Sequence, residues 1–486
     1  MLVKYIILFG YFAILFVIGY FASRSVRDIR DYYVGGKRLG FWVVAFSTRA
    51  TGESAWLLLG LTGLGAVAGV SAFWVVVGEV LGVSLSWLLM AKPFKRLSDQ
   101  YGSITIPDYL VSHFKSRTHT LRIVASVALS VFVVIYVSAQ IDATGSAFEA
   151  FLDWNYFHGA LVGFGIVVVY ILFGGFIAVA WSDVFQGILM FLGLVLLPVV
   201  AVFSLDGNLF DGLRTIDPGL LNAWGTGGLT WLNVATILGF LFIGLGFMGS
   251  PQLYVRFMSI KGEGEIRKGR WVAIIYTLLT DSAAVCIGLI GRYLFTAQGA
   301  DVEAVLGNNG QNVLISLVED QLPLFFIGLY IAVVLAASMS TIDSLLVVAS
   351  SAVVRDFYQQ IFKPHLSISS LTGLSRRVTL LMALAALALA LAVAITTPER
   401  TIFWFVIFGW SGLAATFCPV IILSLFDKKM TERGAIAAMV TGFLCIPLFK
   451  FVLPAMPGIG VYFNAVAELG PSFLVALLVG ITVSRL

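Results

Sequence analysis

The sequence predicts an all-α protein that crosses a membrane thirteen times, as a single transmembrane domain over residues 1–486. Three observations lead there. The composition suits lipid rather than water. Thirteen apolar runs alternate with connections whose basic residues fall mostly on one side. Two of the runs are interrupted at corresponding places.

Of the 486 residues, 59% are hydrophobic and 12% charged, against about one quarter charged in an average soluble domain. A water-soluble fold has nowhere to put that much apolar surface, so the bilayer is the natural solvent. Cys286, Cys418 and Cys445 all lie inside apolar runs and form no disulfide framework or metal spacing. The first apolar run has no A-x-A cleavage site and is followed by Arg24, Arg27 and Arg30, so it reads as a retained span rather than a removed signal peptide.

A helix needs about 20 apolar residues to cross the hydrocarbon layer. The runs that qualify cover residues 3–22, 40–66, 72–91, 119–147, 157–178, 182–204, 232–257, 269–295, 322–353, 376–396, 401–426, 432–453 and 465–484. The connections after spans one, three, seven, nine and eleven, counted with the span ends beside them and with the C-terminus, hold 24 of the 30 Lys and Arg residues. The opposite side holds five: Lys4, Arg214, Arg292, Arg400 and Lys450. The positive-inside rule then puts the N-terminus outside and the C-terminus in the cytoplasm of a multi-pass plasma-membrane protein.

Span two is interrupted at Ser47-Thr48-Arg49-Ala50-Thr51-Gly52-Glu53-Ser54-Ala55-Trp56, with two charges, four hydroxyls and a glycine inside an apolar run. A charge at mid-membrane costs about 2.5–3.5 kcal/mol or more. Arg49 and Glu53, four apart, are therefore expected to pair on one helix face. Glycine and hydroxyl residues let the helix unwind and free carbonyls for an ion. Span seven is interrupted by Gly244, Gly246, Gly249, Ser250 and Pro251, where glycine lowers the cost of a break and proline removes a donor. Two interruptions five spans apart point to a transporter made of inverted repeats: a leading helix at 3–22, repeats at 40–204 and 232–426, and two trailing helices at 432–486. Close packing through small residues is the competing explanation of the glycines.

Span nine carries Ala336-Ala337-Ser338-Met339-Ser340-Thr341-Ile342-Asp343-Ser344. Sodium is a hard cation that takes oxygen ligands, and two hydroxyls here with carbonyls from a broken span two would form a cage. Further buried acids are Glu79, Asp142, Asp183 and Asp281. Asp183 follows a short uncharged turn at 180–182 and reads first as the cap of span six, with an inner-gate role as the alternative. Soluble-enzyme signatures lead nowhere. The G-x-G-x-x-G at 244–249 has no strand before it, no phosphate-binding loop of the Walker type is present, and the four histidines sit in or beside loops. Neither an enzyme, a nucleotide nor a nucleic-acid partner is expected.

Taken as a set, the motifs resemble the sodium/solute symporter family, and above all its bacterial sodium/proline branch. The residues that carry the resemblance are Ser54-Ala55-Trp56-Leu57-Leu58 with Gly60-Leu61, Phe173-Gly174-Gly175-Phe176, Trp181-Ser182-Asp183, Gly249-Ser250-Pro251 with Arg256-Phe257-Met258, and Ala336–Thr341. The resemblance runs from about residue 5 to the C-terminus. It implies a 5+5 inverted-repeat, LeuT-like core. It implies a sodium ion held by the carbonyls of Ala50, Glu53 and Ala337 and the hydroxyls of Ser340 and Thr341. Ser54, Trp56, Tyr136, Gln140 and Phe247 would lie near the solute. From the residues themselves, Arg49, Gly52, Asp183 and Asp343 are the candidates for coupling or gating. The chain departs from that branch at Gly52, where the branch has aspartate, and at Arg49, where it has glycine. Ile243 and Phe247 replace a tryptophan and a tyrosine.

The expected activity is sodium-coupled symport of a small organic solute, proline or another amino acid, by alternating access. Proton-driven uptake through Arg49, Glu53 and Glu79 on the same fold is one alternative. A solute-sensing receptor module is another. A channel is opposed by the pair of broken helices and the lack of a filter motif.

Overall fold

The computed structural model describes residues 2–26, 28–363, 365 and 368–486. Arg27, counted above, lies outside them, and Phe173 and Gly174 are described in backbone only. Among the described residues the regular structure is helical. A single parallel bridge between Leu39 and Ile260 is the one β-type contact.

The helices that matter below are α1 (Leu2–Ser23), α2 (Phe41–Ala55), α3 (Thr62–Ala68), α4 (Phe73–Leu85), α5 (Thr120–Leu152), α6 (Tyr156–Val202), α7 (Trp231–Phe242), α8 (Pro251–Ser259), α9 (Glu263–Phe295), α10 (Leu324–Ser351), α11 (Ile368–Thr396), α12 (Ile402–Phe426), α13 (Glu432–Pro447) and α14 (Leu469–Val483). Among the described residues, ten helical stretches are long and apolar enough to cross a membrane. A further pair, Gly460–Val466 with α14, is bent by 89°.

Two stretches are too long to be one crossing each. Residues 41–100 form a helical run of 60 residues, which at 1.5 Å per residue would reach about 90 Å, three times the hydrocarbon thickness. It turns at Gly69, whose φ of +64° is a left-handed conformation that favours glycine. α6 spans 47 residues and breaks at Gly175, with φ 54° and ψ −155°, where a Cβ would lie 2.6 Å from the Tyr32 ring.

The break at Gly175 corrects one reading of the sequence. Asp183 does not cap a helix. The chain is helical from 176 through 202, so Asp183 sits two turns inside, and no turn exists at 180–182. Arg256 is corrected in the same way. Counted above among connection residues, it lies on α8 with 0% exposure.

Burial separates centre from periphery. The most apolar parts of Leu324–Phe362 and Ile402–Phe426 are 83% and 89% buried, while that of Glu432–Ala455 is 22% buried. α10 and α12 therefore form the middle of the bundle and α13 faces its outside. α2, α5, α6 and α1 all pack on α10, which brings Ser340 and Thr341 against the interrupted stretch of α2.

Candidate functional site

The break in α2 is set by one residue. Ser54 has φ 43° and ψ −170°, so the α-helical hydrogen bonds across it cannot form. The backbone groups of residues 50–55 then find other partners. Ala55 N–H, which in a helix would donate to Thr51, donates to Gln140 Oε1 of α5 at 3.1 Å. The Thr51 carbonyl is thereby released, and Thr341 Oγ1 donates to it at 3.1 Å. Ser340 Oγ donates to the Ala50 carbonyl at 3.0 Å. Both hydroxyls also lie near the Ala337 carbonyl, at 3.1 and 3.2 Å. Five hard oxygens from two helices therefore converge, with two hydroxyl protons holding the carbonyls together.

Four of the five expected sodium ligands meet here: Ala50, Ala337, Ser340 and Thr341. The Glu53 carbonyl is instead engaged by the Trp56 backbone N–H, and the Thr51 carbonyl occupies the corresponding place. The sequence missed Thr51 because only the Ser54 dihedrals decide which carbonyls are free.

The other side of the break faces α5 and the aromatic residues. Ser54 Oγ lies 3.5 Å from Tyr136 Oη and 3.4 Å from Gln140 Nε2. Trp56 Nε1 points back to the Gly52 carbonyl at 3.4 Å. The Phe247 ring comes from the second break, where residues 243–248 form a 3-10 turn before Gly249 and Pro251. That segment packs backbone to backbone on α4, since a Cβ on Gly244 would fall 1.8 Å from the Gly78 carbonyl. Both explanations of the glycines thus hold together, a break and a close approach. Phe247 stacks near Trp410 of α12, with ring centres 4.9 Å apart, and Trp410 lies 6.3 Å from Tyr136. Trp410 donates to the Ile243 carbonyl at 3.1 Å. It was not singled out in the sequence, where one tryptophan in an apolar run carries no signal.

Arg49 and Glu53 pair as their spacing predicts. Arg49 Nη2 reaches Glu53 Oε1 at 2.8 Å, and the guanidinium sits 4.8 Å over the Phe247 ring. Glu79 of α4 and Asp281 of α9 join them. A Cβ at Gly52 would lie 2.8 Å from Phe247 and 3.6 Å from Arg49 Nη1, so the missing side chain at 52 is what lets Arg49 lie under the ring.

Asp183 is the partner of Arg256, at 2.8 Å with both side chains 0% exposed. Ser47 Oγ donates to the same carboxylate at 2.5 Å. Arg256 Nε donates to Ser47 Oγ at 2.7 Å, and its Nη2 donates to Thr51 Oγ1 at 2.6 Å and Ser344 Oγ at 2.5 Å. One guanidinium therefore ties α2, α6, α8 and α10 together. Asp343 is buried on α10, with Ser344 Oγ 3.2 Å from its carboxylate.

The family model for the sodium:solute symporter family matches residues 32–442. The chain belongs to this family. It is therefore a membrane transporter and not an enzyme. Among curated relatives, it is 34% identical to the high-affinity proline transporter PutP of Bacillus subtilis over 471 residues, covering 94% of this chain and 96% of that one. It is 32% identical to the sodium/proline symporter of Escherichia coli, covering 89% and 85%. Among solved structures, a sodium-coupled sialic acid symporter in a substrate-bound outward-open state superposes with a TM-score of 0.81 at 18% identity, covering 99% and 97%. Mhp1, a nucleobase-cation-symport-1 family transporter in a closed conformation, superposes at 0.56 with 13% identity, covering 93% and 94%. These two likenesses show that this symporter shares the all-helical transporter fold.

Proposed function

We propose that this symporter carries a small amino acid, first of all proline, into the cell together with sodium by alternating access. The observation that carries the reading is the break at Ser54. Its released carbonyls meet the hydroxyls of Ser340 and Thr341 on one side, and its other side faces Tyr136, Gln140 and an aromatic wall. Sodium would be held by the carbonyls of Ala50, Thr51 and Ala337 and the hydroxyls of Ser340 and Thr341. The solute would lie among Ser54, Trp56, Tyr136, Gln140, Phe247 and Trp410, its ring or aliphatic body against the aromatics and its polar ends on the open backbone. The names of the proline-carrying relatives supply the solute.

The architecture fits a thirteen-span count. Residues 41–100 would cross twice, the two parts of α6 once each, and the bent pair at the C-terminus once. The breaks in α2 and before α8 would then occupy equivalent places in two inverted five-span repeats, with the N-terminus outside. Uptake of labelled proline into proteoliposomes is the test. A sodium gradient should drive accumulation, and replacing sodium by choline should abolish it. Equal uptake in both buffers would sink the reading.

A further inference from the structure

Four charged groups meet beside the break in α2. Arg49 and Glu53 come from α2, Glu79 from α4 and Asp281 from α9, and none is more than 1% exposed. One guanidinium therefore faces three carboxyls. Arg49 Nη2 lies 2.8 Å from Glu53 Oε1 and 3.7 Å from Glu79 Oε2, and Thr280 donates to Glu53 at 3.0 Å. With all three ionised, two negative charges would stand uncompensated inside the bilayer, where ionisable groups must be paired or neutral.

A proton held between Glu79 and Asp281 would remove one of those two charges. The two carboxyls lie within interaction range of each other, beside the same guanidinium. Ionised carboxylates only accept, so a hydrogen bond between the two would need a proton on one of them. Four polar atoms of the cluster have no hydrogen-bond partner: Arg49 Nη1, Glu53 Oε2, Glu79 Oε2 and Asp281 Oδ2. Among the described residues, no group of three or more His, Cys, Asp or Glu is arranged to hold a metal ion. The remaining polar groups around the cluster are Tyr276 and Thr280 of α9 and Tyr136 of α5. The segment at 243–248 brings the Phe247 ring against Arg49. Asp183 and Arg256 pair with each other.

We propose that the Glu79–Asp281 carboxyl pair is a proton site separate from the cage between α2 and α10, and that a proton crosses on it together with sodium and the solute. The proton comes from external water when the site opens outward, sits between the two carboxyls in the closed protein, and leaves to cytoplasmic water. This rests on the reading of the chain as a sodium-driven symporter.

The experiment uses proteoliposomes of the full chain with a pH dye inside, labelled proline outside, and the membrane potential clamped with potassium and valinomycin. Sodium-driven uptake should acidify the interior in step with the solute, and the rate should fall as external pH rises. Glu79→Gln supplies the hydrogen-bond donor permanently, so its acidification should be lost and its pH profile flattened, and Asp281→Asn should do the same. Wild-type uptake driven by sodium with no acidification and a flat pH profile would overturn the proton site while leaving sodium symport standing. Absence of sodium-driven uptake altogether would instead strike at the parent reading. Should the variants fail to fold, the wild-type arm decides alone.

Discussion

Replacing Arg256 by methionine keeps the aliphatic stem and removes the guanidinium. The Asp183 carboxylate, 0% exposed, would then retain neighbouring hydroxyls such as Ser47 but no counter-charge. Breaking a buried pair on one side costs about 3–5 kcal/mol, because the survivor stays charged and unpaired. A hydrogen bond to a charged group contributes about 1.5–3 kcal/mol, so Ser47→Ala should cost less than Arg256→Met although both touch the same carboxylate. Removing both charges should cost far less than the two single changes together. In Asp183→Leu with Arg256→Met no charge is left behind, and Thr51 and Ser344 still bond each other at 2.8 Å. The coupling between the two sites should then exceed about 2 kcal/mol, at the upper end of what contacting residues show. Reversible unfolding in mixed detergent micelles, followed by tryptophan fluorescence on the four variants, reads this directly. An Arg256→Met penalty below about 1 kcal/mol, or a double variant that simply adds the two losses, would refute the idea that the charge pair itself holds α2, α6, α8 and α10 together.

Three further outcomes follow from the break at Ser54. Ser340→Ala removes one of the five oxygens and should raise the sodium concentration for half-maximal uptake by about 1–3 kcal/mol, roughly 5- to 150-fold, with Thr341→Val alike and Thr341→Ser spared; unchanged sodium dependence in both would remove the cage from consideration. Gln140→Leu strips the Ala55 N–H of its acceptor and should destabilise the fold by about 1–3 kcal/mol in the same unfolding assay, whereas a loss confined to solute affinity would place Gln140 on the solute only. Gly52→Ala puts a Cβ 2.8 Å from the Phe247 ring and should cost about 1–3 kcal/mol by overpacking; Phe247→Leu in the same chain should recover part of it, and strict additivity would show that the ring is not what the new methyl meets.

What could be read from the sequence was local. Arg49 and Glu53 pair because four residues bring side chains onto one helix face. The breaks at 54 and 249–251 were announced by glycine, hydroxyl and proline residues. Ser340 and Thr341 stood out as hydroxyls in an apolar run. What escaped was set by distance along the chain. Asp183 and Arg256 are 73 residues apart, and neither position carries a sign of the other. One was therefore taken for a cap and the other for a connection charge. Glu79 and Asp281 were noted as buried acids, yet only the packing of α9 on α2 and of α4 on α9 brings them to Arg49. That the Thr51 carbonyl rather than the Glu53 carbonyl meets Thr341 depends on a single dihedral pair at Ser54, which residue type alone does not specify.

The proposed coupling follows from where the break spends its hydrogen bonds. Gln140 takes the Ala55 N–H, and this is what leaves the Thr51 carbonyl open to Thr341. A solute that competes for Gln140 or Ser54 acts on the same backbone whose carbonyls would hold sodium, six residues in all from Ala50 to Ala55. An ion drawing the Ala50 and Thr51 carbonyls toward α10 fixes the positions of Ser54 and Ala55 in turn, and a solute fixing Ser54 and Ala55 aims the carbonyls. Each ligand then raises the affinity of the other by the same factor, as linkage demands. The geometry also says where the coupling should fail. A chain in which Ser54→Pro forbids the positive φ of 43° should lose sodium-dependent solute binding and solute-dependent sodium binding together. Loss of one with the other intact would mean that the two ligands do not share the break.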